Sequence, residues 1–186
     1  MDNNINHWKS ELDTITADFK TLLATISEQD LNWRPNNQTW SIAQNLEHLI
    51  VINSSYFPII EKALQRNLEI AWPGRVKFIY NMIGKTLVKA SDPNRRKKLK
   101  TFPVWLPSES NIPGDILIRF EDHQQELKQY MDKSHSLLLN NTVIYSPANK
   151  MIVYKLATAF DILVLHERRH YNQASELIQL IKREGN

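Results

Sequence analysis

Two histidines stand four residues apart in the run Leu165-His166-Glu167-Arg168-Arg169-His170, and a third, His48, lies far upstream. Imidazole is poor core filler but a good ligand for a divalent ion. A spacing of four stacks two side chains about one turn apart on one helix face. With His166 as the origin of a wheel at about 100° per residue, Ile152, Leu156, Ala159, Ile162, Leu163, His170, Ala174, Leu177 and Ile181 fall within roughly 80° of it. The pair therefore rides on a stripe that must face a core. Gln173 shares that face, and Arg168 and Arg169 point to solvent. The chain has no cysteine, so disulfides, thiolate metal sites and cysteine nucleophiles are excluded. A metal must then be held by His, Asp or Glu. If His48 meets the pair, three imidazoles would leave open positions on an ion that lowers the pKa of water or a thiol. Taken alone, the pair leaves a core reading open, and His48 reads first as a satisfied boundary histidine.

His166 to His170 also spells the H-E-x-x-H pattern of zinc proteases. That chemistry needs a third ligand downstream, in one large group a glycine three and a histidine six positions after the second histidine. Here those positions hold Gln173 and Glu176, and the remaining residues continue the same helix and its end. Neither Glu176 nor Glu184 can fold back onto the ion, so the protease reading fails. Glu167 is then expected at the surface or behind the ligands rather than as a catalytic base. Gln44 and Asn45 lie near His48 and could hydrogen-bond beside the open position, as Gln173 could beside His170. His123 falls on the buried face of its own helix, as a core histidine or a neighbour of the pocket. Trp33, Trp72, Trp105 and Phe102 lie in loops, where packing of a long connection is the first reading and a roof over the pocket the second.

The elements that must position these residues are helices. Ile5, Trp8, Leu12, Ile15, Phe19, Leu22, Leu23 and Ile26 recur at three- and four-residue steps, which predicts a helix over about 4–26. Ser41 with Gln44 three later makes a capping box, and Trp40 outside it could pack back as a staple. A second helix follows over about 42–67, with Pro58 predicting a kink near 54–57. Residues 68–112 carry four prolines, two glycines and a basic run, and read as a long crossover containing a short helix over about 76–88. A third helix is expected to about Leu139, and a fourth over about 150–182. The pattern predicts an all-α, single-domain four-helix bundle over 1–186, with the crossover between helices two and three.

Bulk properties narrow the partners. A net charge of +3 is mild, and the run Arg95-Arg96-Lys97-Lys98-Leu99-Lys100 lacks alternating aromatics, so a solvated loop is favoured over a nucleic-acid contact. No apolar run approaches the roughly 18–20 residues needed to span a bilayer. The first residues are polar and acidic rather than signal-like, so no membrane and a cytoplasmic setting are expected.

Two segments resemble the DinB-like superfamily, including its YfiT-like group. Trp40-Ser41-Ile42-Ala43-Gln44-Asn45-Leu46-Glu47-His48-Leu49 is similar to its W-S-x-x-x-x-x-H-L segment, and His166-x-x-x-His170-x-x-Gln173 to its H-x-x-x-H-x-x-Q segment. Helix order, length and the long link agree. The resemblance implies a four-helix bundle in which His48, His166 and His170 hold one divalent ion: zinc or nickel foremost, iron or manganese as further choices. It implies a metal-dependent transferase acting on a small-molecule substrate with a low-molecular-weight thiol, or a related hydrolase. The alternative is a non-catalytic metal-binding bundle in a structural or stress-response role. Pairing into a homodimer through helix faces is compatible with either.

Overall fold

A computed structural model describes residues 2–94, 101–108 and 111–184. The basic run 95–100 lies outside these residues. The long α1 (Asp2–Leu23) buries Ile5, Trp8, Leu12, Ile15, Phe19 and Leu23, the stripe its periodicity predicts. A five-residue α2 (Glu28–Asn32) follows, started by Ser27, whose hydroxyl accepts the Asp30 backbone N–H. The next helix, α3 (Ile42–Ser54), opens on the complete capping box: Gln44 N–H donates to Ser41 Oγ at 3.1 Å, and Ser41 N–H donates to Gln44 Oε1 at 3.0 Å. Two otherwise orphaned donors are thereby satisfied, and the helix start is pinned.

The predicted second helix is two helices. It breaks at Ser55 and Tyr56, and α4 (Phe57–Leu64) carries Pro58 in its first turn, where a missing N–H costs nothing. The crossover is more ordered than its prolines suggest. It contains a 3₁₀ turn at Trp72–Arg75, then α5 (Lys77–Ser91), then a second 3₁₀ turn at Pro103–Trp105. The expected third helix likewise divides into α6 (Ile116–Lys133) and α7 (His135–Leu139). Ser134 sits at the break and donates its hydroxyl to the Tyr130 carbonyl at 2.7 Å.

The expected start of the fourth helix needs a correction. Residues 150–155, read as the start of the fourth helix, form a strand. An antiparallel hairpin joins β1 (Val143–Ser146) to β2 (Asn149–Lys155), pairing Ile144 with Tyr154 and Tyr145 with Val153. Asn141 precedes it at φ 50°, the left-handed conformation an Asn tolerates at a helix end. The run Met151-Ile152-Val153-Tyr154 suits a strand once a partner lies beside it, and short apolar runs fit either period. The last helix, α8 (Leu156–Glu184), begins where β2 stops.

The fold is mostly helical. Helix α1 packs against α6 and α8, and α3 packs against the same two from the other side. Helix α5 and the hairpin lean on the N-terminal part of α8. The core between them is filled by Phe19, Ile42, Leu46, Leu49, Phe120, Leu127, Phe160 and Leu163, all fully buried.

Candidate metal centre

Helices α3 and α8 bring His48, His166 and His170 together. The Nε2 atoms of His48 and His166 are 3.4 Å apart, and those of His170 and His166 are 3.1 Å apart. One ring nitrogen from each of the three lies within 4.8 Å of the other two. His48 and His170 are buried, and His166 is half-buried.

The tautomers follow from what the outer nitrogens touch. Nδ1–H of His48 donates to the Trp105 carbonyl at 2.6 Å, since a carbonyl can only accept. The Asn45 amide is oriented by its own Nδ2, which donates to the Ser41 carbonyl at 2.8 Å. Its Oδ1 is thus turned to His170, whose Nδ1–H donates to it at 2.6 Å. Both Nε2 lone pairs then aim at His166 Nε2. One N–H there could serve only one neighbour squarely, whereas a cation satisfies all three. His166 Nδ1 is buried without a partner among the described residues.

The donor set fits a borderline divalent ion. Two nitrogens about 2.0–2.1 Å from one zinc at tetrahedral angles lie about 3.3–3.4 Å apart, close to the observed separations. Burial lowers the pKa of His48, against the opposing pull of its bond to Trp105. Burial lowers His166 and His170 further, helped by the neighbouring imidazoles and by Arg169. The neutral imidazole that a metal requires is therefore the resting form near pH 7.

The surroundings are built largely by α3 and by residues 101–108. Besides its carbonyl on His48, Trp105 donates Nε1–H to Ser55 Oγ at 3.1 Å. Gln44 Nε2 donates to the Ser108 carbonyl at 2.8 Å, and Ser108 donates its N–H and its hydroxyl to the Glu47 carboxylate at 2.6 and 2.9 Å. Trp40 lies against two of the rings, with centroids 4.7 Å from His48 and 6.0 Å from His170. Glu47 and the Trp105 carbonyl were not marked by the sequence. A backbone carbonyl carries no residue signature, and Glu47 looks like any charged position on a helix. Trp40, read as a staple, had its position marked but not its contact with the imidazoles.

The other sequence candidates divide. Asn45 orients His170, and Gln44 ties the crossover to α3. Gln173 is half-buried and makes no hydrogen bond to the cluster among the described residues. Glu167 is not at the surface: it is 0% exposed, and its two oxygens accept Asn53 Nδ2 at 2.7 Å and Gln124 Nε2 at 2.5 Å. Burial pushes its carboxyl up to about 7, against those two bonds and Arg168. Its wheel position, one step round from His166, faces α6. Arg169 is also buried rather than solvated, and donates to the Ala90 carbonyl at 3.2 Å. Arg168 is half-buried against Asp18. His123 stands apart from the cluster, stacked on Phe57 with Nδ1 3.5 Å from Ser54 Oγ. Ser54 is six residues beyond His48, about 9 Å along the α3 axis.

Among the loop aromatics, Trp105 and Phe102 pack edge to face beside the cluster. Trp72 is exposed, in a 3₁₀ turn that packs on β2. Trp33 lines an open cleft with Glu28, Gln29, Asn32 and Asn111, and none of the three histidines is there.

Comparison with curated proteins gives no significant match, and comparison with solved structures gives none. A model of the DinB superfamily matches residues 11–174, from within α1 to well into α8 and across all three histidines, and the chain therefore belongs to the DinB superfamily.

Proposed function

We propose that this chain is a metal-dependent enzyme in which His48, His166 and His170 hold one divalent ion. Its reaction is transfer to or from a low-molecular-weight thiol, with hydrolysis as the near neighbour, on a small-molecule substrate. The observation that carries the reading is the convergence of Nε2 lone pairs whose opposite nitrogens are committed to Trp105 and Asn45. We also read the chain as a single four-helix-bundle domain, with α1, α3, α6 and α8 as its four staves.

An all-imidazole donor set favours zinc or nickel, with iron or manganese next, over a hard cation such as calcium. When bound, such an ion supplies the Lewis acidity that lowers the pKa of a neighbouring water or thiol. The chain's own residues supply the rest. Asn45 and the Trp105 carbonyl fix two rings in tautomer and direction. Trp40 and Trp105 exclude water from the flank of the cluster, and burial keeps the imidazoles uncharged. The chain offers no thiol of its own, so a thiolate must arrive with a second substrate.

The enclosure of His48 at 2% exposure and His170 at 5% favours one rival, a bundle in which the ion only holds helices together. The two are separated by metal content and turnover. Protein expressed with zinc, nickel, iron or manganese supplied is expected to carry about one ion per chain, lost in His166→Ala. Absence of metal from the wild type would end both readings. Metal retained without turnover in screens of thiol conjugation and ester hydrolysis would favour the rival.

A further inference from the structure

The segment from Ile70 to Ser91 contains four basic residues and no acidic one. It covers the first 3₁₀ turn and the whole of α5. One side of α5 is committed to the molecule: Ile83 and Leu87 pack on the core, and α5 lies against α8 and β2. Gly84 marks how close that approach is, since a methyl there would stand 3.1 Å from Thr158 Cγ2 and 3.4 Å from Tyr154 Cβ. The opposite side is therefore held outward on a fixed platform.

That outward side is unusual. Phe78 is 74% exposed and Met82 51%, and Trp72, in the 3₁₀ turn before the helix, is 62% exposed. At about 100° per residue, Phe78, Met82, Lys85 and Lys89 fall within roughly 60° of one another and form one stripe. Its N-terminal half is apolar and its C-terminal half cationic. Arg75 and Lys77 flank the apolar end. None of the four cations forms an ion pair among the described residues.

We propose that this face is a docking surface for an anionic lipid bilayer, with Trp72, Phe78 and Met82 entering the interface and the four cations meeting headgroups. An aromatic edge bordered by Lys and Arg is the composition that binds such an interface without spanning it. Charge disfavours a second copy: a parallel pair sets Lys85 and Lys89 against their own equivalents, and an antiparallel pair sets them against the apolar half and its flanking Arg75 and Lys77, with no acid of this segment to offset them. Nucleic acid matches the charge but not the aliphatic Met82, which offers no ring for a base to stack on. A bilayer matches both halves of the stripe. No helix of the described residues is long and apolar enough to cross a membrane, so the contact is peripheral. The proposal is independent of the metal reading.

The test is co-sedimentation of the full chain with phosphatidylcholine vesicles, with and without about one quarter phosphatidylglycerol. Expected is binding at least about tenfold stronger to the anionic vesicles, falling as salt rises. Phe78→Glu, and separately Lys85→Glu with Lys89→Glu, should each abolish it while circular dichroism and thermal unfolding match the wild type. Should a variant misfold, the contrast between vesicle types and the salt dependence of the wild type alone decide. No binding, or equal binding to both vesicle types, overturns the proposal. So does a vesicle-free dimer that Phe78→Glu dissolves, or retention of a single-stranded oligonucleotide that anionic vesicles cannot displace.

Discussion

Asn45 is held at both ends of its amide, one by the Ser41 carbonyl and one by His170. Replacing it with alanine removes the partner that fixes the His170 tautomer without touching a ligand atom. Asn45→Ala is expected to weaken metal binding by about 10- to 100-fold, read by competition with a chelator of known affinity. Unchanged affinity would show that the ring is positioned without it. His123 behaves differently, because its burial has no metal to explain it. Burial lowers its pKa to about 4 from the ordinary 6.5. The unfolded chain binds that proton first as pH falls, so stability present above about 6.5 is lost progressively down to about 4, worth about 3 kcal/mol at most. Glu167, raised to about 7, gives a slope of the opposite sign, so the effect is read as a difference. The urea midpoint of His123→Leu should fall less than that of the wild type between pH 6.5 and 4. At this scale the pair His166 and His170 stood out because imidazoles on an apolar stripe conflict with core packing, whereas only the resemblance of the Trp40–Leu49 segment joined His48 to them. The partners of their outer nitrogens were not legible: Asn45 is marked only as a hydrogen-bonding neighbour of the open position, and Gln173, not Asn45, is the residue expected beside His170.

Helix α3 carries His48 about two turns from its start, and the capping box at Ser41 stabilises that start without itself touching a ligand. Ser41→Ala is expected to cost about 1 kcal/mol in denaturant unfolding. It should leave the Ser41 carbonyl, and hence Asn45, in place. Metal affinity falling as far as in Asn45→Ala would show instead that the cap positions the site. The long helices were readable from period alone, because each buries a continuous stripe. Their interruptions at Ser55 and Ser134 were not, since a break costs little when the apolar face runs on across it. Pro58 announced one; nothing announced the other. The hairpin escaped for a different reason. Ile152 and Leu156 fit the helical wheel of α8 as well as Ile152 and Tyr154 fit a strand, and only the presence of Val143 to Ser146 alongside decides. The crossover showed its prolines but hid its anchoring, which runs through backbone carbonyls of Trp105 and Ser108.

Across the whole molecule, the three imidazoles bring together two helices, α3 and α8, that lie far apart in the sequence and pack through the apolar core. His48 and His166 are 118 residues apart in sequence, and in the unfolded chain no three-histidine site exists. An ion that binds only the folded form adds its binding free energy to folding, about 2.7 kcal/mol at a free concentration a hundredfold above Kd. For a chain of this length that raises Tm by about 5–10 °C, and a chelator should remove the gain. In His166→Ala, metal and chelator should leave Tm unmoved. An ion held by the cluster would make the lifetime of the protein a function of its surroundings. Where the ion is plentiful the chain would persist folded, and where it is scarce more of it would unfold and become open to proteolysis, so abundance itself would report metal supply without any dedicated sensor.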